Sequence, residues 1–205
     1  MHYLTLKNTF EDFPIFSIQD IKKHDPFFHR QRLNEWQKKG YIKKIKQNFY
    51  IFSDLEINEQ VLFSIANHIY APSYVSLEMA LSFYNLIPES IYKITSISSK
   101  NTKTLGTPIG NFVYRHVKPS FMFGYTLKKY KNYYYRIAEM EKAILDYFYL
   151  NTHIKNKEDF EGLRFNSIQF NENMNVEKFN KYLQAFQNKS LEKRVNRFLK
   201  YIKHA

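Results

Sequence analysis

The stretch "RQRLNEWQKKGYIKKIKQNFYIF", residues 30–52, changes its hydrophobic period at Gly40. Before the glycine, Leu33 and Trp36 recur at helical spacing among charged and amide side chains. After it, Tyr41, Ile42, Ile45, Phe49 and Ile51 are threaded between lysines as strand residues are. Glycine is the residue that most readily ends a helix in a left-handed turn, and asparagine tolerates the same conformation in a tight reversal. The pattern therefore predicts a helix, a Gly40 cap and a hairpin around Lys46-Gln47-Asn48.

Upstream, Ser17 with Asp20 three residues later is a capping-box signature for "IQDIKKH". Asp25-Pro26 predicts the start of the next helix, because Asp caps well and Pro suits the first helical position. That helix is expected over "PFFHRQRLNEWQKK", with Leu33, Trp36 and His29 facing inward. Helix, turn, helix and two-stranded hairpin, in that order, make the layout of a winged helix-turn-helix over residues 1–55. On this reading the second helix enters a DNA major groove and the hairpin touches flanking phosphates. Arg30, Gln31, Arg32 and Asn34 are the candidate base contacts, since Arg pairs with guanine edges and Gln or Asn with adenine edges. Lys22, Lys38, Lys39, Lys43, Lys44 and Lys46 are the candidate phosphate contacts, which supply affinity without sequence information. The competing reading is an ordinary helix and hairpin with solvated lysines.

Charge distribution favours the first reading. The net charge is +12, and an AT-rich genome alone would raise lysine everywhere. Residues 22–50 carry nine Lys or Arg against two acids, and residues 90–138 carry nine and no acid. Compositional drift does not empty 49 residues of carboxylates, so a polyanion-facing surface is expected.

The remainder, 56–205, reads as a mixed α+β domain to about residue 150 with a helical tail over 151–205, which makes the whole chain α+β. Helices are expected in "NEQVLFSIANHIY", "SLEMALSFYNLI" with Ser76 as N-cap, "AEMEKAILDYFYL", "VEKFNKYLQAFQN" and "SLEKRVNRFLKYIKHA". Strands are expected in "IYKITSIS", "GNFVYRHV" and "NYYYRI". The aromatic, basic stretch 112–136 could stack single-stranded bases, but inward aromatics with outward lysines in a sheet explain it better.

Several chemistries find no support. There are no cysteines, the seven histidines show no ligand spacing, and no phosphate-cradling glycine motif occurs. No cofactor and no metal are expected, and the chain is not expected to be an enzyme. Glu139, Glu141 and Asp146 could in principle hold a divalent metal for phosphodiester chemistry, yet Glu141 and Asp146 are not on one helical face. No signal-peptide layout or membrane-length apolar run is present, so a soluble, cytoplasmic protein without membrane contact is expected.

Three strings carry a resemblance: "YAPSYVSLEMALSFYNLIPE" (70–89), "ITSISSKNTKTLGTPIGNFVYRHV" (94–117) and "IAEMEKAILDYFYL" (137–150). Following "GYIKKIKQNFYIF", they look like the AbiEi-type antitoxins of bacterial abortive-infection systems, in order over most of residues 17–150. The resemblance implies an N-terminal winged helix that represses its own operon at inverted repeats in double-stranded DNA, with a homodimer on DNA as one arrangement. It also implies that the larger domain counteracts a co-encoded nucleotidyltransferase-like toxin without an obligatory complex. Within the matching strings, Ser76, Glu78 and Glu141 read as capping or bridging residues. The family often carries Arg-Gly at the hairpin tip, where this chain has Gln47-Asn48. The alternative is a stand-alone winged-helix regulator whose C-terminal domain dimerises or senses a ligand.

Overall fold

A computed structural model describes residues 1–88 and 93–203. Its first unit runs α1 (Tyr3–Phe10), β1 (Phe16–Ser17), α2 (Ile18–His24), α3 (Gln31–Lys38), β2 (Ile42–Lys46) and β3 (Phe49–Phe52). The three strands form an antiparallel sheet in the order β1-β3-β2. Ser17 and Asp20 form the predicted capping box at the start of α2. Gly40 ends α3 at φ +72°, with its N–H donating to Gln37 O and that of Tyr41 to Trp36 O, a Schellman cap. Asn48 takes the left-handed conformation at the hairpin turn, φ +67°.

The start of α3 differs from the expectation. Asp25 does not cap a new helix. It closes the old one, donating its N–H to Ile21 O, and its backbone, at φ −137° and ψ 88°, leaves the helical region that a following proline disfavours. Pro26 opens a turn, and α3 begins five residues later with Arg30 as N-cap and no side-chain cap bond. His29 is exposed. Phe28 takes the inward position instead, its ring 5.6 Å from that of Trp36.

Successive residues of β3 face opposite ways, and both faces are buried. Tyr50 and Phe52 join Leu6, Phe16, Ile21, Leu33 and Ile42 in a small core under the helices. Ile51, with Ile15 and Ile45, belongs to the large core of the rest of the chain. A register shift between Lys44 and Lys46 accommodates Ile45.

The second unit contains α4 (Glu59–Ile69), β4 (Ser73–Val75), α5 (Leu77–Phe83), β5 (Lys93–Ser98), β6 (Lys103–Thr107), β7 (Gly110–His116), β8 (Tyr125–Tyr130), β9 (Tyr133–Ala138) and α6 (Met140–Leu150). The helical tail follows: α7 (Lys157–Gly162), α8 (Ser167–Asn173), α9 (Val176–Ala185) and α10 (Lys189–Ile202). Its strands form a mixed sheet in the order β6-β7-β5-β4-β9-β8, parallel at β5–β7 and β4–β9. Thus the fold is α+β, as expected. Of the predicted apolar stripes, Val61, Ile65, Ala66 and Ile69 on α4 and Ile144, Leu145 and Phe148 on α6 are buried, while Leu62 is half-buried. In the 112–136 stretch Phe112, Tyr114 and Tyr135 are core while Lys129, Lys131 and Arg136 are exposed, as a sheet requires. The first two residues of the expected strand "IYKITSIS" and the final two residues of the chain lie outside the described residues. Among the described residues no helix is long and apolar enough to cross a membrane.

The capping box yields a stability prediction. Burial raises the Asp20 carboxyl, but hydrogen bonds from Ser17 and Lys23 outweigh it and hold the group below its usual range. A depressed carboxyl stabilises the fold above its unfolded value, near 3.9, and that contribution disappears as pH falls through the folded value. Ser17→Ala should cost about 1 kcal/mol at pH 7 in urea unfolding. Asp20→Ala should also destabilise at pH 7, with its difference from wild type shrinking below about pH 4. A constant Asp20→Ala difference from pH 7 to pH 2 would contradict the assignment.

Candidate nucleic-acid interface

Helix α3 buries Leu33 and Trp36, and Phe28 covers the turn before it. Gln31 and Asn34 lie on the opposite, exposed face, and Arg30 is exposed at its N-terminal end. These three sequence-predicted residues come together at one end of one face. Glu35 and Lys38 continue that face at helical spacing and are also exposed. Glu35 had signalled only its charge in the sequence. A carboxylate there can accept from a cytosine amino group but repels phosphate.

Arg32 stands apart from the other three. It is half-buried, and its guanidinium Nη1 donates to the carbonyl of Met1. The Met1 amino group in turn pairs with Asp25, so Arg32 helps fix the N-terminal segment over the α2–α3 turn. The guanidinium expected at a base edge is in this structure engaged with the Met1 carbonyl.

Among the predicted phosphate contacts, Lys22, Lys38, Lys39, Lys43 and Lys44 are exposed. None of them, nor Arg30, pairs with a carboxylate among the described residues. Lys38 and Lys39 extend from the end of α3, and Lys43 and Lys44 from β2 beside it. Lys46 differs. It is half-buried and donates to Ile69 O, 3.1 Å away at the end of α4.

Glu139, Glu141 and Asp146 each have a separate partner. Glu139 accepts from the Tyr182 hydroxyl at 2.6 Å and pairs with Lys178. Glu141 accepts from Asn175 N at 2.9 Å, bridging α6 to the start of α9. Lys142 and Asp146 form an ion pair whose side chains are both 0% exposed. Asp146 also accepts from Tyr74 and Ser76 hydroxyls, at 2.9 and 2.8 Å. The Lys142 ammonium lies 4.8 Å from the ring centres of both Phe123 and Phe186. Burial pushes the Asp146 carboxyl up and the Lys142 ammonium down, and their mutual contact opposes both shifts. No group of three or more metal-ligating side chains is found among the described residues.

Ser76 was expected to cap α5 with its side chain, but its hydroxyl is committed to Asp146. Thr95 of β5 substitutes, accepting from Met79 N at 3.1 Å and donating to Ser76 O at 2.8 Å. No local pattern could have announced this exchange, because Thr95 and Asp146 are remote from Ser76 in sequence. Comparison of the sequence with protein-family models and with curated proteins gives no match.

The buried pair ties α6 to β4 and the start of α5. Asp146→Ala leaves an ammonium buried without a counter-charge and should cost about 3–5 kcal/mol in urea unfolding. Asp146→Asn keeps acceptors for Tyr74 and Ser76 but removes the charge, and should recover only part of that loss. Full stability in the Asn variant would assign the pair's contribution to hydrogen bonds alone.

Proposed function

We propose that the protein is a DNA-binding antitoxin that represses its own operon and counteracts a co-encoded nucleotidyltransferase-like toxin without an obligatory complex. In this reading the first unit is a winged helix-turn-helix acting in the cytoplasm. Helix α3 enters the major groove, Arg30, Gln31 and Asn34 meet base edges, and Lys38, Lys39, Lys43 and Lys44 meet phosphates. The observation that carries the DNA-binding half is the exposed face of α3, flanked by lysines that lack carboxylate partners among the described residues. Such uncompensated charge favours a polyanion, and an amide-rich helix face suits base edges. Packing of Ile45 and Ile51 into the large core supports the reading further. A hairpin held on its far side presents its lysines in a fixed orientation, which reduces the entropy lost on binding. The antitoxin half rests on the resemblance of residues 70–150 to AbiEi-type antitoxins.

Arg30→Ala should narrow discrimination between the upstream promoter and random DNA by roughly 1–3 kcal/mol. Lys44→Ala should weaken both about equally and lower the salt slope by about one unit. Footprinting of the upstream promoter at two salt concentrations reads both effects. A double Arg30/Lys44 variant that binds its promoter like wild type would remove the DNA-binding assignment. Co-expression with a nucleotidyltransferase encoded beside the gene tests the other half, with restored growth expected.

A further inference from the structure

Tyr70 closes α4, packs at a tilt against Tyr114 with ring centres 4.7 Å apart, and donates its hydroxyl to Asn101 O at 2.8 Å. Three ammonium groups gather on its ring, with Lys46, Lys100 and Lys103 Nζ at 5.8, 5.7 and 5.9 Å from the centre. Lys46 comes from the end of β2, Lys100 from the loop before β6, and Lys103 from the first position of β6. Both units therefore contribute to one cluster.

None of the three pairs with a carboxylate among the described residues. Among the described residues their negative partners are partial ones. The Ile69 carbonyl accepts one bond from Lys46 at the negative end of α4, and the tyrosine ring offers its electron-rich face. Burial, and to a lesser degree the neighbouring charges of Lys103 and Lys100, hold the Lys46 ammonium below its usual range. The partial charges of that carbonyl and ring offset the repulsion among three ammonium groups only in part, whereas an anion bridging them would relieve it.

We propose that Lys46, Lys100 and Lys103, gathered on Tyr70, bind the phosphate backbone of nucleic acid and carry the contact track of the β2–β3 hairpin onto the second unit. The inference rests on the DNA-binding reading above. Nucleic acid suits the site better than a small anion. Lys100 and Lys103 are exposed on an open surface, and Lys46 continues the strand that carries Lys43 and Lys44. Lysines act there as point charges, so the site adds affinity without choosing sequence.

The test is a Lys100→Gln/Lys103→Gln variant of the full chain, which spares the structural bond of Lys46. Its binding to promoter and random duplexes of about 21 base pairs, two helical turns, is measured across salt concentrations beside Lys44→Ala. The expected result is a salt slope lower by roughly two units, equal weakening on both duplexes, and a melting temperature equal to or above wild type. An unchanged slope where Lys44→Ala lowers it overturns this inference and leaves the winged-helix reading standing. A lowered slope with Lys44→Ala inert overturns the continuous track from the hairpin, and no effect in either variant overturns both readings. A lower melting temperature assigns the two lysines a packing role and overturns the site. Stabilisation by inorganic pyrophosphate that the variant abolishes, with DNA binding intact, makes it a small-anion site and overturns it as well.

Discussion

Burial of the β2–β3 hairpin on both faces is the constraint on which the rest of the arrangement depends. Tyr50 and Phe52 complete the small core beneath α2 and α3, while Ile51 on the same strand joins the large core. A strand with one wet face would let the first unit swing on its connection to α4. Here, moving the hairpin would expose apolar surface on one side or the other, at about 25 cal/mol for each Å² uncovered. A contact between the units agrees: Asn132, in the β8–β9 turn, donates to Asp12 of the first unit. The lysines of β2 are thus carried on an element whose position the second unit controls.

A second constraint lies within the larger unit. Lys142 and Asp146 would each be prohibitively costly to bury alone, and together they need every bond that Tyr74 and Ser76 supply. Gly124 reflects how closely they are packed. At φ +66° it lies against Lys142 and Tyr182, and an added Cβ would come within 2.9 Å of the Tyr182 ring. The same charges that a solvent-exposed reading makes available for catalysis are, in the fold, a junction of α6, β4 and the segment entering α5.

Local signals were legible wherever one face of an element meets a core. The stripes of α4 and α6, the capping box at Ser17, the Gly40 cap and the Asn48 reversal all follow from neighbours within a few residues. Elements without such contrast were not legible. The three residues of β4 are all buried, so no alternation marks them, and β6 is an edge strand that is largely exposed. Asp25-Pro26 looked like a helix start because both residues favour one. The burial of Phe28 against Trp36 made a turn the better use of that segment.

The amino-acid sequence by itself determined the α+β class, the order α2, α3, hairpin in the first unit (though not α1 or β1), and which residues of α3 are apolar and which are not. These depend on period, caps and turn residues, which act over a few positions along the chain. Only the tertiary structure decided which polar groups remain free to meet a partner. Arg32 is held by Met1 and Ser76 by Asp146, each through a residue more than 30 positions away, while Lys46 donates one bond to the end of α4 and keeps its charge for a partner. Arg30, Gln31, Asn34 and the lysines of β2 at positions 43 and 44 are left facing solvent. A side chain's chemistry is written in its residue type, but its availability depends on what the folded chain brings beside it.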